Sequence, residues 1–151
     1  MKAKLLLGLL RLSLGWLMLH AGIVKLMDPK WSAAGYIKGA KTLPVFFQSL
    51  LDPGVLPIVN LINEWGLTLL GISLILGIGV RISSVLGAVL MLMYYLPGLD
   101  FPYPNANSYI VDEHIIYILV LLYFAVSDAG RMYGMKSWAM SKFPRLGWLL
   151  A

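Results

Sequence analysis

The chain has 151 residues, of which 60% are hydrophobic and only 13% carry a charge. A soluble domain is about 45–50% apolar and about 25% charged. Because roughly a third of the unfolded surface of a chain this size stays exposed after folding, a soluble fold could not hide the apolar excess. The composition argues against a soluble enzyme, a nucleic-acid-binding domain and a disordered tail, and predicts a protein surrounded mostly by lipid.

The formal net charge is +5, and the sequence has no cysteine and two histidines. The cations lie mostly at the ends of apolar runs, where they orient a membrane protein, so no nucleic-acid partner is predicted. Without cysteine the chain has no disulfide, thiolate metal site or CxxC redox pair. The sequence also shows no haem or iron–sulfur motif, and two histidines do not make a His-rich metal site.

The first apolar run extends from Leu5 to Met27. At 1.5 Å per residue it is long enough for a hydrocarbon core of about 30 Å. Arg11 interrupts the run and no A-x-A site follows it, so it is predicted to be a retained transmembrane helix and not a cleaved signal peptide. Asp28 precedes Pro29, which disfavours the α conformation and ends the helix.

The segment 31–52 mixes aromatic residues with lysines and is too polar to span a membrane. It is predicted to form one or two short interfacial helices, broken near Pro44 and ended by Asp52, Pro53 and Gly54.

Three further apolar runs predict transmembrane helices over about 55–79, 81–97 and 109–127. Gly77 and Gly79 mark a tight turn between the first two of these, and a loop rich in proline and asparagine separates the last two. The basic tail 130–151, with Trp138, Phe143 and Trp148 as aromatic anchors, is predicted to lie on the membrane surface. The expected fold is all-α: a single polytopic membrane domain with a bundle of four transmembrane helices.

Lysine and arginine positions predict the orientation of this bundle. The first loop is basic, with Lys30, Lys38 and Lys41, but the larger set of cations lies at the two termini and at the turn near residue 80. That set consists of Lys2, Lys4, Arg81, Arg131, Lys136, Lys142 and Arg145. Both termini are therefore expected in the cytoplasm, with the protein integral to the plasma membrane.

Ionisable groups inside the apolar runs are costly, about 2.5–3.5 kcal/mol each on insertion scales, and so suggest functional sites. His20, Glu64 and His114 come from three different helices yet reach one level in the outer half of the bundle, with Asp112 close to that level. Glu64, His114 and His20 are the candidate catalytic residues.

Helical spacing also predicts the directions in which these side chains point. Asn60, Asn63, Glu64 and Gly71 share one stripe, which is expected to face the bundle because lipid offers polar groups no partners. Asp112 and His114 are about 200° apart at 100° per residue, so they are expected to point in different directions.

Each candidate also has a purely structural explanation. Asp112 at a helix start can act as an N-cap. Arg11 can extend to the membrane surface or pair with Asp128, Lys25 can extend to the outer interface, and Arg81 marks the turn. A metal site built from His20, Glu64, Asp112 and His114 is disfavoured because these residues form no i, i+4 pair of ligands. A stripe of Gly8, Gly15 and Gly22 predicts close helix packing, within the bundle or in a homo-oligomer.

Three segments resemble the DoxX/DoxD family of small membrane proteins. They are RLSLGWLMLHAGIVKLMDP from Arg11, NEWGLTLLGISLILGIGVRISSVLGAVLMLMY from Asn63, and VDEHIIYILVLLYF from Val111. The resemblance implies a four-helix membrane bundle. Arg11, Gly22, Lys25, Glu64, Arg81 and the segment 112–114 fall on the family pattern. Some members are subunits of thiosulfate:quinone oxidoreductase, and others associate with superoxide dismutase or thiol-detoxifying partners.

Two functional hypotheses follow. The first is a quinone-linked redox subunit, in which Glu64 exchanges a proton and His114 or His20 holds a quinone carbonyl. The other candidate quinone-binding residues are Trp16, Asn63, Trp65, Asp112 and Tyr117. Its electrons would come from a second subunit, a soluble redox partner or the reductant itself. The second hypothesis is a non-catalytic anchor, assembly subunit or small-molecule carrier that docks a partner through its basic cytoplasmic face. A lipid-accessible cavity would favour the first hypothesis, and a closed, fully paired cluster the second.

Overall fold

The computed structural model describes residues 2–127, 129–131 and 141. Its regular structure is helical and follows the chain as α1 (Lys2–Met27), α2 (Ala34–Lys38), α3 (Pro44–Ser49), α4 (Leu56–Leu76), α5 (Val80–Gly98) and α6 (Glu113–Val126), followed by a 3-10 turn at Ala129–Arg131. The described residues form no β-strand, in agreement with the predicted all-α class.

Three helices, α1, α4 and α5, are long and apolar enough to cross a membrane. Helix α6 is apolar but has only 14 residues, or roughly 21 Å against a hydrocarbon core of about 30 Å. It begins four residues later than the predicted span because the carboxylate of Asp112 accepts hydrogen bonds from the backbone N–H groups of His114 and Ile115 and so caps the helix at Glu113.

The helices pack in two antiparallel pairs. Helix α1 lies along α4 and α5 lies along α6, while α4 joins the pairs by contacting α5. The first pair is in very close contact, because a Cβ at Gly22 would lie 2.5 Å from the Thr68 backbone nitrogen and one at Gly71 would lie 2.6 Å from the Leu19 Cα. The predicted packing role is thus confirmed for Gly15 and Gly22, whose neighbours lie on α4 within the bundle.

Apolar side chains fill the space between the pairs and also cover the outside. Leu74, Leu121 and Phe124 are almost completely buried in the centre. Large apolar residues such as Leu86 and Leu119 are instead exposed on outward faces. Soluble monomers rarely expose large contiguous apolar patches, so this surface is suited to lipid.

The turn between α4 and α5 is short because two glycines adopt left-handed backbone conformations. Gly77 has φ of 70° and Gly79 has φ of 65°, values that cost glycine little and other residues more. Ser73 and Ser83 close the turn with a hydroxyl–hydroxyl hydrogen bond of 2.6 Å. The predicted tight turn is confirmed.

Residues 30–52 form a layer across the opposite end of the bundle, the end that also carries the segment 99–112. We call these residues the α2–α3 layer and this end the loop face. As predicted, the layer holds two short helices, with Pro44 in the first turn of α3. The Asn60 side chain accepts a hydrogen bond of 3.0 Å from the backbone N–H of Ala33 and ties the layer to α4. The backbone N–H of Lys41 donates to the Pro97 carbonyl at 3.0 Å and ties it to α5.

Asp128 and most of the predicted amphipathic tail, including Lys136, Lys142 and Arg145, lie outside the described residues. Arg131 belongs to the 3-10 turn, and its side chain is likewise not described. The predicted surface location of the tail and the predicted pairing of Arg11 with Asp128 therefore stay predictions.

Candidate functional site

A cavity of about 470 Å³ lies beneath the α2–α3 layer, where α1, α4, α5 and α6 come closest to the loop face. Its walls are mostly apolar and include Ile37, Phe47, Ile62, Leu90 and Met93. Ligand sites of small molecules are typically such cavities, of about 300–1,000 Å³, with a few polar groups among apolar walls. The polar groups of this cavity therefore indicate which ligands it fits.

Asp112 and His114 form a hydrogen-bonded pair at one wall. The Nδ1 atom of His114 lies 2.8 Å from Oδ2 of Asp112, and His114 lines the cavity. Asp112 is only 9% exposed and uses its other oxygen to cap α6. Because a carboxylate accepts, a neutral His114 carries its proton on Nδ1, which leaves Nε2 as the ring nitrogen available to a ligand.

The prediction that Asp112 and His114 point in different directions is wrong. The spacing of 100° per residue applies only to helical residues, and Asp112 has an extended backbone with φ of −121° and ψ of −172°. As the N-cap it lies outside the helix, so its side chain turns back over the first turn and reaches the imidazole of His114.

Two tyrosines hold the imidazole ring of His114. Tyr94 of α5 stacks on it with ring centroids 5.9 Å apart and 13° between the planes. Tyr117 of α6 meets it edge-on with centroids 6.4 Å apart. Tyr94 also lines the cavity, and its hydroxyl is buried without a hydrogen-bond partner among the described residues. A buried unpaired hydroxyl costs about 1–3 kcal/mol, so a ligand oxygen placed near it would relieve that cost.

Lys25 and Trp31 line the cavity near the end of α1. The Lys25 ammonium lies 5.4 Å from the ring centroid of Trp31 and donates a hydrogen bond of 3.2 Å to the Ala21 carbonyl. Asn63 of α4 also contributes to the wall, and its amide donates at 2.8 Å to the Val59 carbonyl. The cavity therefore combines a cation, an amide and an imidazole in a mostly apolar space.

Tyr36 connects the α2–α3 layer to the cavity wall. Its hydroxyl donates to the Tyr94 carbonyl at 2.5 Å. Burial raises the pKa of the Tyr36 phenol, and the nearby carboxylates of Asp112 and Glu113 raise that pKa further. The phenol therefore keeps its proton at neutral pH and can act as the donor in this bond.

A second apolar space lies beside the cavity, between α4 and α5. This groove has a volume of about 550 Å³ and shares Ile62, Leu90 and Met93 with the cavity. Its remaining walls run to the α4–α5 turn and consist of Gly66, Leu69, Leu70, Ser73, Gly79, Ile82, Ser83, Leu86, Gly87 and Val89. Since Leu69, Leu86 and Val89 are exposed on the outer surface, the groove is open on the side that would face lipid.

The predicted site residues separate into two groups. His114, Asn63 and Lys25 line the cavity, and Asp112 and Tyr117 contact the His114 ring. The others lie elsewhere: His20 is exposed, Trp16 and Trp65 are exposed on α1 and α4, and Arg81 is exposed at the start of α5. Glu64 is half-buried on α4 and is not among the residues that line the cavity, although its backbone carbonyl accepts a hydrogen bond from Thr68.

One of the two arrangements predicted for Arg11, extension to the membrane surface, is wrong. The Arg11 side chain is 0% exposed, and its guanidinium donates a hydrogen bond of 2.7 Å to the Ala129 carbonyl. It therefore connects the middle of α1 to the 3-10 turn after α6, on the opposite side of the bundle from the cavity.

Among the described residues, one set brings possible metal ligands together: Asp112, Glu113 and His114 offer ligand atoms within 4.8 Å of one another. Both oxygens of Asp112 already accept hydrogen bonds, from the backbone of α6 and from His114. A metal ion would compete with these hydrogen bonds for the carboxylate, so the set is better suited to positioning the imidazole.

Sequence reasoning missed Trp31, Ser32, Tyr36 and Tyr94 as wall residues. Ionisable groups within apolar runs indicated the candidate residues, whereas these four lie in the interfacial layer or near a helix end. A usable signal was present, since Tyr94 is seven residues from Gly87 and so shares the α5 face that packs on α6.

A family model matches the chain. The DoxX model matches residues 6–97, which include most of α1, the α2–α3 layer, α4 and nearly all of α5, but not α6. No curated protein and no solved structure matches the chain. The match extends over most of the described helices, and the chain belongs to the DoxX family.

Proposed function

We propose that the cavity binds the ring of a quinone and that the protein is a quinone-linked redox subunit of the membrane. The observation that carries this proposal is the hydrogen-bonded pair of Asp112 and His114 beside Tyr94, whose hydroxyl has no partner among the described residues, at the wall of a mostly apolar cavity. A quinone has a flat apolar ring and two carbonyl oxygens, and its reduction takes up two electrons and two protons. The wall offers an apolar space for such a ring and donors for its oxygens.

The chain's own residues would bind, orient and supply protons. The Tyr94 hydroxyl would donate to one carbonyl oxygen. The imidazole of His114, after taking up a second proton at Nε2, would deliver that proton to an oxygen at the same wall. Asp112 would fix the ring orientation and stabilise the protonated imidazole. Phe47 and Ile37 of the α2–α3 layer would keep bulk water away. Glu113 is exposed beside Asp112 and gives protons a route from the loop face.

The electrons would come from a second subunit or a soluble redox partner. The chain carries no cysteine, so no thiolate of its own enters the reaction. The proposed role is therefore that of a quinone-binding subunit. The predicted role of Glu64 as the group that exchanges protons passes in this proposal to His114, because His114 lines the cavity.

A titration of the protein in lipid nanodiscs with a ubiquinone or menaquinone analogue tests the proposal. Trp31 lines the cavity, so its quenching should saturate with ligand, while lipid-exposed Trp16 and Trp65 report only the ligand dissolved in the bilayer. We expect Trp31→Phe to remove the saturable part of the quenching. We expect Tyr94→Phe to weaken binding by about fivefold to tenfold, corresponding to one hydrogen bond of about 1 kcal/mol.

Quenching that stays linear with ligand concentration in every variant would contradict the quinone site. The non-catalytic alternative, an anchor or assembly subunit, would then lead, and the next experiment would capture a partner through the basic tail. Folding of each variant is checked by circular dichroism, since these substitutions lie in helices.

We also propose that α6 is a fourth span and that both termini are cytoplasmic. Lys2, Lys4 and Arg81 support this orientation because they lie at the end of the bundle opposite the loop face. The cysteine-free chain allows a direct test with single cysteines at exposed Ala3 and Ala106. In intact cells, a membrane-impermeant maleimide should label Ala106→Cys and spare Ala3→Cys; the reverse pattern would invert the orientation.

A further inference from the structure

The cavity and the groove adjoin, since Ile62, Leu90 and Met93 belong to the walls of both, and together they match the outline of an amphiphile. The cavity holds the donors, while the groove contributes only Ser73 and Ser83 as polar side chains, and these two bond to each other. The groove therefore offers no unpaired side-chain hydroxyl to a ligand at its far end. A molecule with a polar ring and an apolar tail would match both parts.

From the proposed function we infer a specificity determinant: the α4–α5 groove holds the tail of the same molecule whose ring occupies the cavity, so that the natural ligand is a long-tailed lipid quinone. From Met93 to Ile82, α5 rises roughly 16 Å along the groove. Half of a hydrocarbon core is about 15 Å. The groove therefore accommodates a tail that crosses about one leaflet, and longer tails would extend beyond it into lipid.

Gly66 and Leu86 are two positions along the groove where a substitution can test the location of the tail. Gly66 lies opposite Leu90 at the junction of the two spaces, and a Cβ there would lie 3.5 Å from Leu90 Cδ2, an ordinary contact. An added Cβ at Gly66 therefore causes no clash, and the larger side chain of a leucine there is chosen to fill the junction. Leu86 lies four residues farther along α5, roughly 6 Å from the junction, and is exposed on the groove wall.

The experiment compares three ubiquinone analogues that share one ring and carry no tail, a pentyl tail or a tetraprenyl tail. Affinities for the protein in phosphatidylcholine nanodiscs are expressed per mole fraction of ligand in the lipid, so that partition into the bilayer cancels. In the unmodified protein, we expect the tetraprenyl analogue to bind about tenfold more tightly than the tail-less one, through van der Waals contacts with the groove.

The variants then read out the position of the tail. Gly66→Leu should weaken both tailed analogues and leave the tail-less analogue within about twofold of its original affinity. Leu86→Phe should weaken the tetraprenyl analogue alone, because a pentyl tail ends before it. The matched control is Leu122→Phe, an exposed residue on α6 at about the same depth that lines neither space, and it should change none of the affinities.

Two results would overturn the inference: equal mole-fraction affinities for all three analogues, or tailed analogues that bind Gly66→Leu as well as they bind the original protein. Failure of the proposed function looks different, because the tail-less analogue would then show no saturable binding that depends on Tyr94. Saturable, Tyr94-dependent binding of the tail-less ring without any effect of the tail would keep the cavity and reject the groove.

Discussion

Helix α4 meets its two neighbouring helices in opposite ways. Toward α1 the backbones approach so closely that an added Cβ at Gly71 would lie 2.6 Å from Leu19 Cα. Toward α5 the helices separate into a groove of about 550 Å³, and an added Cβ at Gly66 would meet only an ordinary contact. Gly66 and Gly71, five residues apart on α4, therefore have different roles. Gly71 allows close packing on α1, and Gly66 borders the groove toward α5.

The difference shows how a small membrane protein can combine a fixed framework with an accessible site. Apolar side chains gain little by leaving lipid for the protein interior, so helix pairs in membranes depend on close van der Waals packing. The α1–α4 contact supplies that packing through residues that do not line the cavity. The α4–α5 contact is then free to stay partly open near its middle, while the α2–α3 layer covers the loop face.

The largest expected effect comes from filling the closed contact. We expect Gly71→Ala to lower the free energy of unfolding by about 3 kcal/mol, at the upper end for overpacking, because the clashing atoms belong to the Leu19 backbone and not to a flexible side-chain tip. The measurement is an unfolding titration in mixed micelles with increasing denaturing detergent. A variant as stable as the original protein would show that α1 and α4 are not in such close contact.

A smaller loss is expected from the other connection of α1. Arg11→Met removes the guanidinium that donates to the Ala129 carbonyl and should lower the free energy of unfolding by about 2 kcal/mol, the range of a hydrogen bond to a charged group. The same titration measures it. Arg81→Met, an exposed arginine in the chain, is the control and should change stability by less than about 0.5 kcal/mol.

The third prediction concerns ligand binding in the cavity that His114 lines. His114→Gln should weaken quinone-analogue binding about tenfold, or about 1.4 kcal/mol, since the stacked, Asp112-bonded ring is lost. His20→Gln alters the exposed histidine of α1 and should leave affinity unchanged. Equal losses in the two variants would favour the site predicted from membrane depth over the cavity geometry.

The fold could be predicted in large part because lipid imposes strong constraints. Long apolar runs gave the helices α1, α4 and α5, and glycines gave the turn at Gly77 and Gly79 and the α1–α4 contact. The start of α6 was harder to locate, since an aspartate before an apolar run is equally compatible with a helical residue and with a cap. Only the backbone conformation of Asp112 distinguishes the two.

The sequence could predict which residues lie at the depth of the site, but not which of their side chains point toward it. Their common level in the outer half of the bundle selected His114 and Asp112 together with His20 and Glu64. Only the packing of α1 against α4 shows that His20, like the candidate quinone-binding residue Trp16, lies outside. Trp16 is 64% exposed. Helical spacing fixes directions within one helix, but which face meets a neighbour depends on contacts between distant residues, and these are not written in any local pattern.

The smallest expected effect is also the most direct test of the contrast between the two sides of α4. Gly66→Ala places a methyl group in ordinary contact with Leu90 Cδ2 and replaces the more flexible residue with the better helix former. It should therefore raise the free energy of unfolding by about 0.5–1 kcal/mol, opposite in sign to Gly71→Ala. Both variants are measured in the same detergent titration, and both make the same chemical change in the same helix. If both were destabilising, α4 would be closely packed on both sides, and the groove between α4 and α5 would not be open enough to admit a lipid tail.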